Sequence, residues 1–452
     1  MIDVSAFVKS LKAKPVAVFG LGVSGLSVVR ALLQGGAQVV AWDDDPEGRR
    51  QAEEIGAVLK EDISECAALV LSPGVPLHFP APHPVVEKAR ALGIEILGDL
   101  EILHRADLSR KIIGITGTNG KSTTTALLHH IFKTGGIGCT MGGNIGTAIL
   151  DTDLPEKDGC FLLEISSYQM DLCPDFRPDV SVFLNISPDH IDRHGTLEKY
   201  VEAKARIFEG KGVGVCSVDD AHSRLVYERV RERGERTMIP VSVEQEVEGG
   251  IFVRGGVLID DRSGGQKEVG KIEGLETLRG AHNYQNICAA YGVSCQFGVG
   301  ADLFLKALKT YPGLPHRQYL ARRIGGVSYI NDSKATNAQA AEKALGCYDD
   351  IYWIAGGLAK DGGLEGLEPY ADKIRHAYLI GAAAEDFSVW MEKNKIPYCL
   401  NKTLDSALPE AHKAAQAAGK GTVLLAPACA SWDQFRSYEK RGDLFMALVE
   451  KL

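Results

Sequence analysis

The sequence predicts an α/β protein of three domains, because short apolar strands alternate with helices in three successive stretches of the chain. A length of 452 residues also exceeds what a single hydrophobic core usually spans. Breaks in the pattern fall near Gly98 and in a loop rich in glycine and proline at 311–317. We therefore predict domains at 1–98, 99–313 and 314–452.

Composition is that of a folded protein and argues against several classes of function. Apolar residues make up 45% of the chain and charged residues 24%, which are ordinary values. The net charge of −9, without a run of Lys or Arg, disfavours a nucleic-acid partner. Ten cysteines without a CxxC pair are typical of reduced thiols. With no signal sequence or membrane-length apolar run, we expect a cytoplasmic protein that does not span a membrane. A monomer is the expected state.

The first stretch carries a glycine-rich turn after its first strand. Residues 16–19 are apolar, and a G-x-G-x-x-G turn at 20–25 leads into a helix, as in a Rossmann-like domain. The second strand ends in three aspartates at 43–45, where a dinucleotide-binding fold would hold a ribose hydroxyl. A third strand stops at a Ser-Pro-Gly turn, 72–74. These residues leave NAD, another nucleotide and a bare tight turn open.

The second stretch contains the strongest motif, an apolar strand that runs into the turn 116–123 and then into a helix. Such a turn cradles phosphates with backbone N–H groups, while Lys121 adds a cation and Ser122 a hydroxyl for Mg²⁺. The strict Walker pattern is not met, because Ile115 stands where its first glycine should be. We predict a central parallel sheet like that of P-loop ATPases, with an accidental lysine in a glycine-rich turn as the alternative.

Two further strands of this stretch end in polar residues. The strand at 160–163 ends in Glu164, and the strand at 180–185 leads to His190. Because parallel strands end at the same edge of a sheet, both residues are expected beside the phosphate turn, where they could complete a Mg²⁺ shell. Polar strand caps are the alternative.

Lys204 lies on the apolar face of a helix predicted over 198–209. It is spaced i+4 from Tyr200 and precedes Ile207 and Phe208, so it points into the apolar stripe. On spacing alone, a lysine that reaches the rim and exposes its ammonium is the alternative.

Other segments complete the pattern. A Gly-Gly turn predicts a hairpin over 251–259. The polar segment 280–286 begins a helix, where its side chains either cap the helix or provide a pair of amides that bind a base. Beyond 317, strands and helices alternate again, with polar residues at the strand ends, so the third domain is also expected to be Rossmann-like.

Together these motifs resemble the Mur ligases of peptidoglycan synthesis, in the family's order and over the whole chain. The segments that carry the resemblance are 116–123, 164–167, 189–190, Lys204, 282–283, 314–317 and 332–337. The resemblance implies an ATP-dependent carboxylate–amine ligase that works through an acyl phosphate. The segments 331–337 and 427–431 are most similar to the branch that adds D-glutamate to UDP-N-acetylmuramoyl-L-alanine.

By resemblance, Lys121, His190 and Lys204 are expected to be catalytic. Ser122 and Glu164 would hold one Mg²⁺, and His190 with a carbamylated Lys204 would hold a second. The implied ATP-binding residues are Gly117, Thr118, Asn119, Gly120, Lys121, Ser122, Thr123, Asn283, Asn286, Arg317 and Asp332.

The resemblance also implies where the other substrates bind. Val23, Ser24, Gly74 and Asn144 would contact the UDP-substrate, so the first glycine-rich turn would be a uridine nucleotide cradle. Thr336, Lys360, Ser431 and Tyr438 would form the D-glutamate pocket. A sister Mur ligase, a folylpolyglutamate synthase-type ligase and an NAD-linked oxidoreductase remain as alternatives.

Overall fold

The computed structural model describes residues 1–106, 108–360 and 362–452. Within these ranges the strands form three sheets, each built mainly of parallel pairs, which confirms the predicted α/β class. The residues divide into two compact units, one of 1–273 with 281–310 and the other of 274–280 with 311–452. The domain boundaries inferred from the sequence remain predictions. No helix in the described part of the chain is long and apolar enough to cross a membrane.

The first sheet of the first unit is entirely parallel. Its elements are α1 (Ser5–Ser10), β1 (Val16–Phe19), α2 (Val23–Gln34), β2 (Val39–Trp42), α3 (Pro46–Ile55), β3 (Val58–Leu59), β4 (Ala68–Leu71), α4 (Pro84–Ala91) and β5 (Glu95–Leu97). The strand order is β3-β2-β1-β4-β5. The order reverses at β1, so the turns after β1 and β4 meet at the topological switch point, where ligands bind in open α/β sheets.

The second sheet of this unit carries the phosphate turn. Its elements up to the middle of the sheet are α5 (Asp99–Arg105), β6 (Lys111–Thr116), α6 (Lys121–Thr134), β7 (Cys139–Gly143), β8 (Cys160–Glu164), α7 (Ser167–Asp171), β9 (Val180–Phe183), α8 (Ile191–His194) and α9 (Leu197–Ala205). The remaining elements are β10 (Gly212–Ser217), α10 (Ala221–Arg233), β11 (Arg236–Ser242), β12 (Ile251–Arg254), β13 (Val257–Asp260), β14 (Lys267–Lys271), α11 (Ala281–Cys295) and α12 (Ala301–Thr310).

In this sheet β6 lies between β8 and β9, and both pairs are parallel. The predicted hairpin is present, because Gly255 and Gly256 have φ values of 57° and 75° and join β12 to β13. The helix predicted over 198–209 is shorter than expected: α9 ends at Ala205, and a 3₁₀ turn, Arg206–Phe208, follows it. One apolar cluster runs through both sheets of the first unit, so the two sheets share a core.

The second unit contains the third sheet. Its elements are β15 (Tyr319–Ile324), β16 (Val327–Asn331), α13 (Ala338–Cys347), β17 (Ile351–Gly356), β18 (Ile374–Ile380), α14 (Ala384–Lys393), β19 (Tyr398–Lys402), α15 (Leu404–Ala418), β20 (Gly421–Leu425) and α16 (Tyr438–Glu450). The order is β15-β16-β20-β17-β18-β19, parallel except for β15 against β16. Alternate residues of β17, such as Trp353 and Ile354, enter different apolar clusters, so both faces of the sheet are covered.

Candidate active site

The turn between β6 and α6 has the backbone of a phosphate cradle. Gly117 and Gly120 have φ values of 145° and 86°. A Cβ on Gly120 would lie 2.3 Å from Asn286 Oδ1, so only glycine fits there. Lys121 begins α6, and its Nζ donates to the carbonyls of Gly117 and Thr118, each at 2.8 Å. The lysine is therefore held over the turn, at the positive end of the helix, where phosphate binds in such folds.

Glu164 ends β8 beside this turn, as its place in the sequence predicts. Its side chain is buried, and Oε1 accepts a hydrogen bond from Asn144 Nδ2 at 3.0 Å. The other oxygen, Oε2, is buried and has no hydrogen-bond partner among the residues that the structure describes. A buried carboxylate oxygen without a partner is costly, and a hard cation is the ligand that would satisfy it.

Lys204 points inward. Its side chain is only 2% exposed, and Nζ donates to the Gly117 carbonyl at 3.0 Å and lies 4.7 Å from the centre of the Tyr200 ring. The alternative of an ammonium exposed at the rim is therefore wrong. Burial lowers the Lys204 pKa well below its usual value, and the charge of Lys121 lowers it further.

His190 follows β9 at the same edge. It has a left-handed backbone, with φ of 53°, and its side chain is half exposed, 3.5 Å from the carboxylate of Asp189. Burial, followed by the nearby charges of Lys204 and Lys121, lowers its pKa, and Asp189 opposes this effect. A lowered pKa favours the neutral imidazole, which is the form that binds a metal.

Two side chains that the motifs did not single out also hold the phosphate turn. Asn185 Oδ1 accepts from the backbone N–H of Asn119 at 2.9 Å, and its Nδ2 donates to Gln285 Oε1 at 2.8 Å. The Tyr200 hydroxyl lies 3.1 Å from Thr118 Oγ1. The position of Asn185 after β9, at the same strand end as His190, was the available signal in the sequence.

The two amides predicted to bind adenine lie at the start of α11. Asn286 Nδ2 donates to Asn283 Oδ1 at 3.1 Å, and Asn286 Oδ1 accepts from Thr124 Oγ1 at 3.2 Å. Asn286 is therefore buried beneath the phosphate turn and bonded within the protein. Its contact with adenine remains a prediction.

The glycine-rich turn after β1 is closed by glycines at two of its three positions. Gly20 has φ of 88°, and a Cβ on Gly25 would lie 1.9 Å from the Gly20 carbonyl oxygen. A Cβ on Gly22 would meet no atom of the described ranges within 4 Å, so the open side of the turn lies there. Ser72, from the turn after β4, donates to the Gly20 carbonyl at 2.6 Å and joins the two turns. The exposed Val23 and its neighbour Ser24 begin α2 beside them.

Two of the aspartates after β2 accept hydrogen bonds from backbone N–H groups of this region. Asp43 Oδ2 accepts from the N–H of Leu21, and Oδ1 accepts from the N–H of Asp45 at 2.8 Å. Asp45 caps α3 by accepting from the N–H of Glu47 at 3.0 Å. Asp43 and Asp45, which lie where a dinucleotide-binding fold would hold a ribose hydroxyl, therefore have a structural role in this chain.

In the second unit, the predicted D-glutamate residues follow neighbouring parallel strands. Thr336 comes after β16, Lys360 after β17 and Ser431 after β20, and these three strands are adjacent. Ser431 is buried, Thr336 is partly buried and Lys360 is exposed. Tyr438 begins α16, and Lys334 Nζ lies 4.0 Å from the centre of its ring.

Asp332, also at the end of β16, is a buried carboxyl. Its Oδ1 accepts from the N–H of Gln318 at 3.2 Å. Burial raises the Asp332 pKa to about 7, while the Gln318 bond and the charge of the half-buried Arg317 oppose the rise. The carboxyl therefore titrates near neutral pH.

Within the described ranges, no three side chains among His, Cys, Asp and Glu lie close enough together to hold a metal by themselves. Each predicted Mg²⁺ set contains only one such residue, Glu164 or His190. Mg²⁺ in proteins usually keeps waters and phosphate oxygens and takes only one or two carboxylates. The unpartnered Oε2 of Glu164 fits a Mg²⁺ that shares its ligands with a nucleotide.

Two family models match the parts of the chain that contain the first and second sheets. The Mur ligase middle domain matches residues 115–294, and the N-terminal domain of MurD-like Mur ligases matches residues 14–98. The UDP-N-acetylmuramoylalanine–D-glutamate ligases of Rhizobium etli and Caulobacter vibrioides are each 45% identical to this chain. The matched region includes 98% of this chain in both cases, 96% of the Rhizobium protein and 97% of the Caulobacter protein.

Solved structures share the fold at lower identity. The UDP-N-acetylmuramate–alanine ligase of Thermotoga maritima has a TM-score of 0.61 at 15% identity, covering 97% of this chain and 99% of that one. MurF of Acinetobacter baumannii has a TM-score of 0.59 at 18% identity, covering 92% and 91%. Sequence similarity along the full length, with a phosphate turn at the predicted edge of a parallel sheet, leads to one conclusion: this chain belongs to the Mur ligase family.

Proposed function

We propose that this chain is an ATP-dependent ligase that joins D-glutamate to UDP-N-acetylmuramoyl-L-alanine in peptidoglycan precursor synthesis. The proposal follows from relatives that carry this activity in their names and match the chain over its full length. The observation that carries it is the edge of the central sheet, where a phosphate turn, an unpartnered buried carboxylate oxygen and a buried lysine lie together. We also propose that the protein works in the cytoplasm, where this nucleotide substrate is expected.

The reaction has two steps that the chain's residues must support. An oxygen of the substrate carboxylate attacks the γ-phosphorus of ATP, the bond to the β-phosphate oxygen breaks, and ADP leaves. The amine of D-glutamate then attacks the acyl carbon, the bond from this carbon to the phosphate oxygen breaks, phosphate leaves and the nitrogen gives up a proton to become the amide. Both steps bring anions together, so positive charge and fixed alignment are the main requirements. Lys121 and the start of α6 would bind and orient the phosphates in the first step.

The residues at this edge suit Mg²⁺, which supplies charge neutralisation between the phosphates and the carboxylate when bound. Ser122 and Glu164 would hold one ion, and His190 with a carbamate on Lys204 a second. The carbamate forms when the neutral Lys204 amine adds CO₂ and releases a proton, and the result is an oxygen anion. A lowered Lys204 pKa supports this chemistry, because only the free amine reacts.

The remaining contacts are proposed from the family resemblance. Val23, Ser24 and Gly74 would bind the uridine diphosphate, consistent with their position at the switch point of the first sheet. Asn144 would meet the muramoyl-peptide side.

In the second unit, Thr336, Lys360, Ser431 and Tyr438 would bind D-glutamate, with the Lys360 ammonium facing a carboxylate. Arg317 would bear on the ATP phosphates and Asp332 on the ribose.

A substrate panel tests the proposal. We expect ADP release only when UDP-N-acetylmuramoyl-L-alanine, D-glutamate and Mg²⁺ are all present, without a change in nicotinamide absorbance. L-Alanine or a diamino acid replacing D-glutamate would indicate a sister ligase, and a folate substrate with L-glutamate would indicate a folylpolyglutamate synthase. Turnover of NAD without ADP release would contradict the proposal altogether.

A further inference from the structure

Arg193 joins the two sheets of the first unit at their ligand-binding edges. It lies on α8, three residues after His190, and its guanidinium reaches the turn that follows β4. NH1 donates to the carbonyl of Gly74 at 3.0 Å, and NH2 lies 3.4 Å from that of Pro73 and 3.2 Å from that of Val75. Three consecutive carbonyls, two in the Ser-Pro-Gly turn and one directly after it, are therefore held by one side chain.

The same guanidinium contacts the central sheet's site. Its carbon lies 4.7 Å from the centre of the Tyr168 ring, in cation–π geometry. The Tyr168 ring in turn meets His190 edge-on, with ring centres 5.0 Å apart, and stacks on His194 at 5.5 Å. A continuous set of contacts thus runs from the turn after β4 to the histidine beside the phosphate turn.

A second contact supports this connection. Gly195 directly follows α8 with φ of 81°, and a Cβ there would lie 3.3 Å from the ring of Phe79. The loop after β4 and the α8 segment therefore touch at two points, the Arg193 guanidinium and the close approach of Phe79 to Gly195. Both points lie within the first unit.

We propose that Arg193 is a positioning residue that fixes the uridine-binding turn, and the substrate held there, in register with the phosphate edge of the central sheet. The inference rests on the proposed function, since it assumes that the turn binds a uridine nucleotide. The carboxylate of the UDP-substrate is the phosphoryl acceptor and must reach the γ-phosphorus at bonding distance, while the uridine end of that substrate is anchored on a different sheet from the phosphate turn. The side chain that joins the two sheets then contributes to alignment.

The chemistry of the side chain makes the inference specific. A guanidinium is planar and has five donors, so it can serve several carbonyls while its face rests on an aromatic ring. A lysine ammonium carries the same charge but cannot reach three carbonyls and stack at once. Arg193→Lys therefore keeps the charge and removes the geometry.

The test measures UDP binding by calorimetry and then steady-state kinetics. We expect R193K to weaken UDP binding at least tenfold. Its KM for the UDP-substrate should rise at least tenfold, with the KM values for ATP and D-glutamate within twofold of wild type and kcat falling less than KM rises. A merely structural role would change all three KM values together or lower only the amount of folded protein.

Arg177→Lys is the matched control. Arg177 is also half buried and donates to two backbone carbonyls, those of Phe176 at 2.9 Å and Pro174 at 3.2 Å, but it precedes β9 at the opposite edge of the sheet. R177K should bind UDP as the wild type does.

Unchanged UDP affinity and KM in R193K, or an equal loss in R177K, would overturn the inference while leaving the proposed function intact. A wild-type protein that neither binds UDP nor turns over the UDP-substrate would contradict both. If R193K does not fold, Tyr168→Leu replaces it as the test. This variant keeps the carbonyl bonds but removes the ring, and we expect at least a threefold rise in the KM for the UDP-substrate. An unchanged KM there would also overturn the inference.

Discussion

Replacing Lys204 with methionine should make the nucleotide-free protein more stable and inactive at the same time. In protein freed of CO₂, where Lys204 carries no carbamate, its amino group is buried, has a hydrogen bond to the Gly117 carbonyl, and lies close to the charge of Lys121. A buried polar group with too few partners costs about 1–3 kcal/mol of stability. Methionine has a similar shape without the charge. We therefore expect K204M to be more stable by about that amount at pH 7.

The pH dependence of this gain identifies its cause. The Lys204 pKa is lower in the folded protein than its usual 10.5, so the unfolded chain binds more protons between the two values. The stability of the wild type then rises with pH across that window. The advantage of K204M over the wild type should shrink steadily as the pH is raised from 7 toward 10.

Hydrogen exchange of the β6, β8 and β9 amides in low urea measures the stability of the central sheet itself, which matters in a chain of two units. A gain of about 1–3 kcal/mol should appear directly in the opening free energies of these amides. With a slope of about 3 kcal/mol per molar urea, it corresponds to about 0.3–1 M more urea needed to unfold the sheet. Turnover of K204M should fall more than a hundredfold.

In K204A, acetate or formate should restore part of the turnover by occupying the place of the carbamate, and K204R should not be rescued.

A K204M variant less stable than wild type at pH 7 would refute this reasoning. A stability difference that stays constant with pH would also refute it, because the pKa of Lys204 could not then be its source.

Three other predictions concern separate parts of the site. Lys121→Ala should lower ATP turnover more than tenfold, which is about 1.4 kcal/mol of barrier, and leave UDP binding by calorimetry nearly unchanged; turnover within tenfold would contradict the phosphate assignment. Lys360→Ala should raise the KM for D-glutamate, and a rise in the KM for ATP instead would show that the pocket lies elsewhere. Asp332 has a raised pKa of about 7, so the folded state binds its proton more tightly and wild-type stability falls as pH rises from about 4 to 7. Asp332→Asn should therefore be more stable than wild type in urea at pH 8 and similar near pH 4, and equal midpoints at pH 8 would contradict this.

The parallel strands and the turns after them were predictable because their signals are local. Apolar runs such as 16–19 and 68–71 coincide with β1 and β4. Left-handed glycines such as Gly117 and Gly120 are required wherever the backbone closes on itself. The edge strand β15 was not predicted, because its sequence, Tyr319–Ile324, contains two consecutive exposed arginines that interrupt the apolar pattern.

Site residues could be predicted where the geometry of their own helix or strand determines their position. The inward direction of Lys204 follows from helical spacing, and the position of Glu164 from the parallel sheet. The bonds of Asp43 and Asn185 could not be predicted, because they join segments that are distant in the sequence. Arg193 is the same kind of case, since its carbonyl partners lie more than a hundred residues earlier in the chain.

The most direct test of the acyl-phosphate mechanism follows the oxygen atoms. UDP-N-acetylmuramoyl-L-alanine is labelled with ¹⁸O in its carboxylate and incubated with the enzyme, ATP, Mg²⁺ and D-glutamate, and the released phosphate is analysed by mass spectrometry. Attack of the carboxylate on the γ-phosphorus predicts one ¹⁸O atom in each phosphate, because the bridging oxygen leaves with it. Phosphate without ¹⁸O, formed together with the peptide product, would contradict the acyl-phosphate route.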